Sequence, residues 1–384
     1  MKNILFIHQS VDLYGSDKTL LLLLSKLDKT QFNPVVVLPH EGPLTAALEK
    51  ENIKVVIAPV LKLYRKMFSP KNMVSFFKQI KITVATLDEL NNEYKFDLIY
   101  SNTLAVLSGM IYAKKRGIKH IWHIHEIIVH PKPIAYIFPK LLNKYPDIVV
   151  CNSNATKKNI VDRVSQLESK SIVIHNGIEV DKTASKISTK EKLGYNETDI
   201  IITLVGRINR LKGHKWLLKT FINYLNLHHN VKLLFVGSPV EGQEYYLEEV
   251  EQFIAENNIQ DKVRILTYTS NLNLIWNSTD IAIMPSTEAE SFGLVAVEAM
   301  LAKKPVIGSN HGGLTEIVVH EKTGYLIEPN NDEALFEAIQ KLIENPNLRT
   351  QFGEMGYQRA IEEFSVEKYV SSFEALFNNM ISGK

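Results

Sequence analysis

Cysteine is almost missing from this 384-residue sequence: Cys151 stands alone, so no intramolecular disulfide framework can form, which suits a reducing compartment. No apolar run approaches the roughly 18 residues of a membrane-spanning helix. The opening Met-Lys-Asn-Ile-Leu-Phe-Ile-His8 is too short for a signal peptide and reads as a first strand, so a cytoplasmic location is expected. Neither Gly-x-Gly-x-x-Gly nor Gly-x-x-x-x-Gly-Lys-Ser/Thr occurs, which argues against a dehydrogenase and a P-loop enzyme. Asp-x-Asp is missing as well. His123 and His125 have no further cluster of metal ligands near them in sequence, so neither a metal nor a cofactor is expected. Net charge is small, at +2. Without a long basic stripe or a binding motif, nucleic acid is excluded as a partner.

The charge that is present is unevenly placed. Residues 1–180 carry 24 Lys/Arg against 15 Asp/Glu, a balance of +9, and residues 181–384 carry 20 against 27, a balance of −7. The first half is therefore the one expected to meet something anionic. From Val60 to Leu87 there are six cations (Lys62, Arg65, Lys66, Lys71, Lys78 and Lys81), no acids, and interleaved Leu61, Leu63, Tyr64, Met67, Phe68, Phe76 and Phe77. That mixture fits a surface lying on anionic lipid, and residues 60–87 are expected to hold the protein peripherally on the inner face of the plasma membrane. The plainer reading is an exposed helix whose apolar residues serve the core.

Short runs rich in Val, Ile and Leu recur with helical stretches between them: Ile4–Ile7, Val35–Leu38, Val55–Val60, Leu98–Tyr100, Ile121–Ile124, Ile148–Cys151 and Ile172–Ile174, then Ile201–Val205, Val231–Val236, Val263–Leu266, Ile281–Met284, Pro305–Ile307 and Tyr325–Ile327. Continuous runs predict parallel strands covered on both faces, hence an α/β fold. The polar segment 181–190 reads as a link between two domains, 1–180 and 181–363, with a helical, aromatic segment 364–384 after them.

One stretch carries the most chemistry. After the predicted strand Ile281–Met284 comes Pro285-Ser-Thr-Glu-Ala-Glu-Ser-Phe-Gly-Leu294, and good helix formers follow from about Phe292. Such a strand–loop–helix junction leaves the N–H groups of Phe292, Gly293 and Leu294 free to face an anion, and Gly293 admits a ligand close to the backbone. Glu290 precedes these donors, and Glu298 lies eight residues further on. A sugar joined through phosphates to a ribose would present its groups in that order.

This pattern resembles the Glu-x7-Glu signature of the family-4 retaining glycosyltransferases. Val205-Gly-Arg-Ile-Asn-Arg-Leu-Lys-Gly213 is similar to their Gly-Arg-Leu…Lys-Gly element, Gly312-Gly-Leu-Thr-Glu316 to Gly-Gly-x-x-Glu, and Thr323-Gly-Tyr-Leu-Ile-Glu-Pro329 to Thr-Gly-x-x-x-x-Pro. The segments keep the family's order over about residues 201 to 330. The resemblance implies the GT-B architecture, two Rossmann-like domains with parallel sheets facing across a cleft, and a final helix that returns to the first domain.

It also implies roles. Arg207 and Lys212 match the cations that stabilise a leaving diphosphate, Glu290 the group that holds sugar hydroxyls, and Glu298 the group that holds the ribose. His125-Glu126 matches a His-Asp/Glu pair, with His125 hydrogen-bonded to the donor sugar. Leu13-Tyr-Gly-Ser-Asp-Lys-Thr19 stands where the family has Gly-Gly-x-Glu, so Gly15 and Ser16 are candidate donor contacts, although Ser16 and Asp17 depart from the pattern. The same loop resembles those of bacterial polysaccharide-assembly transferases, rhamnosyl ones among them. The expected activity is metal-independent, retaining transfer from a nucleotide-diphosphate sugar to a lipid-linked or glycan acceptor in cell-surface polysaccharide synthesis. A sugar-nucleotide epimerase and a non-catalytic nucleotide-sugar-binding protein are the alternatives.

Overall fold

The computed structural model describes residues 1–61, 70–179, 189–267, 269 and 271–383, with 70–77 described as helical backbone. The chain forms two compact units, one of residues Met1–Glu179 with Val366–Lys384 and one of Val180–Ser365.

The first unit holds seven parallel strands: β1 (Lys2–Ile7), β2 (Phe32–Leu38), β3 (Lys54–Ile57), β4 (Leu98–Asn102), β5 (Lys119–Ile124), β6 (Ile148–Cys151) and β7 (Ser171–Val173). Their order is β3-β2-β1-β4-β5-β6-β7. Strands β1, β4, β5 and β6 are buried along nearly their whole length, as the uninterrupted apolar runs require. The strand expected over Val55–Val60 stops at Ile57, and Val60 and Leu61 continue as loop. Leu61 is 1% exposed and packs with Trp122, Leu104 and Phe138. It is therefore a core residue and not part of a lipid-facing surface. Residues 62–69, which carry three of the six cations of that segment, lie outside the described residues.

One helix of this unit is supplied from far away in the sequence. The helical, aromatic segment expected after Phe364 divides at Ser365, whose ψ of 151° is extended, so Phe364 ends the helix Pro346–Phe364 and a new helix, Val366–Ser382, begins. Its Phe373 and Phe377 are fully buried against Phe6, Phe32, Tyr100 and His123 in an edge-to-face aromatic cluster.

The second unit holds β8 (Ile200–Val205), β9 (Val231–Val236), β10 (Val263–Leu266), β11 (Ile281–Met284), β12 (Val306–Ser309) and β13 (Gly324–Ile327), all parallel, in the order β10-β9-β8-β11-β12-β13. Thr189 and Lys190, expected in the interdomain link, are anchored here instead. Thr189 Oγ1 donates to Leu274 O at 2.7 Å, and Lys190 Nζ lies 2.8 Å from Asp280 Oδ2. The rest of the expected link, 181–188, lies outside the described residues.

In both sheets strand order reverses beside the first strand, between β1 and β4 and between β8 and β11. Loops leaving the carboxyl ends of strands diverge at such switch points, which is where open α/β sheets bind ligands. The topology therefore marks one candidate ligand position in each unit before any side chain is considered.

Candidate active site

In the second unit, the two strands beside the switch point feed the two loops that carry the singled-out residues. Strand β8 runs into Gly206–Gly213, and β11 into Pro285–Gly293. The loops are bolted together by backbone. Thr287 N–H donates to Leu211 O at 2.8 Å, and a Cβ on Gly213, whose φ is +76°, would sit 1.8 Å from Pro285 O. Only glycine permits that approach. Gly312, at φ +62°, fills the same role from the other side. Its Cβ would lie 2.3 Å from Glu290 O, and Gly313 N–H donates to that oxygen at 2.8 Å. The Lys-Gly and Gly-Gly motifs are thus the contacts that shape the Glu290 loop.

That loop joins two of the predicted site residues. Lys212 Nζ lies 2.9 Å from Glu290 Oε1, with the side chains 25% and 16% exposed. Ser286 Oγ donates to the same carboxylate oxygen. Burial pushes the Glu290 carboxyl up, but the Lys212 charge and the Ser286 and Lys212 hydrogen bonds outweigh it and hold it below its ordinary value. His311, which sequence reasoning missed, places Nε2 3.0 Å from Ser286 O, and burial lowers its pKa below the ordinary imidazole value. Its position before Gly312-Gly313 was the available signal.

Arg207 is exposed on the loop after β8. Arg210, in the next turn, pairs with Glu288. The helix expected from about Phe292 begins at Leu294, because Gly293 takes φ +112° and interrupts it. Phe292 is 2% exposed and packs edge-on against Phe364. Its side chain is core, and only its backbone can serve a ligand. Glu298 is half-buried on the helix Leu294–Leu301, little more than a turn from its start. Lys303 takes the left-handed φ of +59° and pairs with Glu354.

In the first unit a helix begins at Gly15, where Asp17 in its first turn accepts the Tyr14 N–H at 3.2 Å. Gly15 is exposed and Ser16 half-buried at this helix start. Asp17 is 1% exposed and turns inward. His8 Nε2 lies 2.6 Å from its carboxylate, and Ser10 Oγ lies 3.0 Å away. Burial raises the Asp17 pKa, and His8, with the Ser10 hydroxyl and the Tyr14 N–H, outweighs it, leaving the carboxyl below its ordinary value. Asp17 therefore takes no part in holding an anion.

His125 follows β5 and packs beside His123, ring centres 3.9 Å apart and the rings tilted by 44°. Burial lowers the His125 pKa to about 3, so the ring is neutral at physiological pH. His123 is wholly buried, bonded to the Tyr100 hydroxyl and packed on Phe373, a structural histidine. The Glu126 carboxylate accepts the N–H groups of Leu104 at 3.0 Å and His125 at 2.9 Å, which ties the loop after β5 to the loop after β4. No group of three or more His, Cys, Asp or Glu among the described residues could hold a metal ion, and none of their helices is long and apolar enough to cross a membrane.

Comparison with known proteins decides the family. The model described as "Glycosyltransferase Family 4" matches residues 15–182, and that described as "Glycosyl transferases group 1" matches residues 185–359. The chain belongs to glycosyltransferase family 4. This glycosyltransferase is 28% identical over 255 residues to the capsular polysaccharide biosynthesis glycosyltransferase CapM of Staphylococcus aureus, a match covering 65% of this chain and 66% of that one. It is 25% identical to an N-acetyl-alpha-D-glucosaminyl L-malate synthase of Bacillus anthracis over 76% of this chain and 82% of that one. Its fold is similar to that of Anabaena HepE, solved in complex with UDP and glucose, with a TM-score of 0.85, 23% identity, and coverage of 98% of this chain and 100% of that one. The expected GT-B, two-sheet α/β architecture is the observed one.

Proposed function

We propose that this glycosyltransferase moves a sugar, with retention of anomeric configuration and without a metal, from a nucleoside diphosphate to a glycan or lipid-linked acceptor in cell-surface polysaccharide assembly. The observation that carries the reading is the Lys212–Glu290 pair, 2.9 Å apart on two loops that leave adjacent strands of the switch point. As the sugar–oxygen bond breaks, negative charge grows on the departing diphosphate. Lys212, with Arg207 on the same loop, supplies fixed positive charge there, which stabilises the transition state more than the ground state. The acceptor oxygen forms its bond to the anomeric carbon on the face the diphosphate leaves, and its proton passes to a phosphate oxygen. His125 then serves as a hydrogen-bond partner of the sugar, and no side chain has to act as general base. UDP and glucose in HepE, and the name of CapM, support the substrate classes. A rhamnosyl donor rests on the loop around Gly15 alone.

The experiment is a panel of UDP-, GDP- and dTDP-sugars, dTDP-rhamnose included, incubated with the protein and a glycan acceptor in the presence of a chelator. One donor should be consumed at an undiminished rate, with its anomeric configuration kept in the product. Loss of turnover on chelation, restored by magnesium or manganese, would remove metal independence. An inverted product would remove retention, and isomerisation of the donor without acceptor would favour an epimerase.

The two carboxylates should separate in calorimetry. Glu298→Ala is expected to weaken nucleoside diphosphate binding by about 1.5–3 kcal/mol, the range for a hydrogen bond to a charged group. Glu290→Ala should leave that affinity intact or raise it, since it removes a carboxylate that competes with diphosphate for Lys212, while transfer collapses. Equal losses of affinity in both variants would undo the assignment.

Docking on anionic lipid is also part of the proposal. It is supported by the charge of residues 60–87 and by Lys78, Lys81 and Ile82, which are exposed. Each cation near an anionic surface contributes about 1 kcal/mol. Sedimentation with anionic vesicles should therefore weaken with salt and drop when Lys62, Arg65, Lys66 and Lys71 become Gln. Equal pelleting of both proteins would leave the segment as a solvated face.

A further inference from the structure

Asn102, the last residue of β4, lies between groups that follow β1 and β5. Its Nδ2 is 3.3 Å from the main-chain O of Ser16 and 3.1 Å from His8 Nδ1, and its Oδ1 is 2.9 Å from His125 Nε2. A carbonyl oxygen can only accept. Ser16 therefore demands the NH2 end of the Asn102 amide, and this one contact orients the whole set. The same NH2 donates to His8 Nδ1, so the His8 proton sits on Nε2, 2.6 Å from Asp17 Oδ1. At the other end Oδ1 faces His125 Nε2, which must carry the hydrogen. His8, Asp17 and Asn102 are each 1% exposed or less, so water is not at hand to re-pair a reversed link.

We propose that Asp17, His8 and Asn102 are positioning residues that hold His125 as the neutral Nε2–H tautomer, so that it meets the substrate as a hydrogen-bond acceptor at Nδ1. A sugar hydroxyl at this ring donates to it, and a ligand offering only an acceptor there is disfavoured. The buried carboxylate at the far end gives the chain its direction. It accepts from His8, from Ser10 and from the Tyr14 N–H, and an ionised carboxylate can do nothing else. The effect on turnover rests on the reading of His125 as a donor-sugar contact, whereas the tautomer itself does not.

The test is long-range 1H–15N correlation on the full chain labelled with 15N-histidine, the His125 signals being those lost in His125→Gln. Wild type should show a neutral Nε2–H ring at pH 7. In Asn102→Leu the two neutral tautomers should mix and kcat should fall about 10–100-fold, the range for losing a group that orients a functional histidine. Asp17→Asn, whose amide oxygen still accepts from His8, should keep the tautomer and most of the rate, and Asp17→Ala should keep neither. A wild-type proton on Nδ1, or a single Nε2–H form persisting in Asn102→Leu, overturns the proposal. The wild-type spectrum decides even if a variant fails to fold. Failure of the transfer reading looks different: His125→Gln would turn over fully while the wild-type spectrum stayed as expected.

Discussion

Replacing Lys212 by methionine is expected to lower kcat about 10²–10³-fold, the range for removing one preorganised electrostatic donor. Methionine keeps an apolar stem beside Gly206, whose Cα environment is lined by the Lys212 methylenes, so the fold should survive. What disappears is a cation fixed before the reaction begins. The Asn209 side chain accepts the Lys212 N–H at 3.2 Å and Glu290 holds the ammonium at 2.9 Å, so little reorganisation is needed as charge develops on the diphosphate. The variant should carry a second signature. Glu290 is kept ionised chiefly by Lys212 against the opposing effect of burial. Without that cation its pKa rises, and any acid limb of the rate profile that reports Glu290 should move to higher pH. Single-turnover kinetics across pH checks both. Unchanged kcat would end the assignment of Lys212 to the leaving group, and a lowered kcat with an unmoved acid limb would separate Lys212 from Glu290.

The second large effect concerns stability. Phe373→Ala should destabilise the first unit by about 3–5 kcal/mol, the usual cost of deleting a fully buried aromatic ring. Phe373 is 0% exposed and touches Tyr100 and His123 from two distant strands, and Tyr369 and Phe377 on its own helix. The cavity left there is walled by sheet on one side and has little freedom to collapse. Because the ring belongs to the first unit and not to the one that precedes it in sequence, urea unfolding should become biphasic or more so. The phase that moves should be that of the first unit, which holds Trp122, with the phase of the second unit unchanged. A shift of the second unit's phase instead would place the helix Val366–Ser382 with the wrong body.

Much of this was legible in the sequence, for a physical reason. Parallel strands buried on both faces leave uninterrupted Val/Ile/Leu runs, and each of the thirteen runs singled out overlaps a strand of the two sheets, Val55–Val60 only as far as Ile57. The motif around Glu290 was legible because its loop is held by glycines that contact backbone, and Gly213 and Gly312 do so. Less legible was whatever depends on side-chain direction. Asp17 lies in the loop read as a donor contact, yet it points inward, because His8, six residues beyond the start of β1, offers it a buried partner. Phe292 reads as a helix residue, yet Gly293 breaks the backbone first and Phe364, 72 positions on, takes its ring. The pairing of Asn102 with His125 has no local signature at all, since it is made by the register of β4 beside β5.

The return of the helix Val366–Ser382 to the first unit also sets an order of events during synthesis. The first 179 residues emerge early, but the floor of their core is laid only when Phe373 and Phe377 arrive, after the whole of the second unit has been made. At about 5–20 residues per second the 186 residues between Glu179 and Val366 take roughly 10–40 s to pass. Through that interval Phe6, Phe32 and Tyr100 show an uncovered aromatic face, while the second unit has every strand it needs. The nascent chain should therefore complete its later half first and depend on a chaperone, or on the speed of the ribosome, to protect its earlier one.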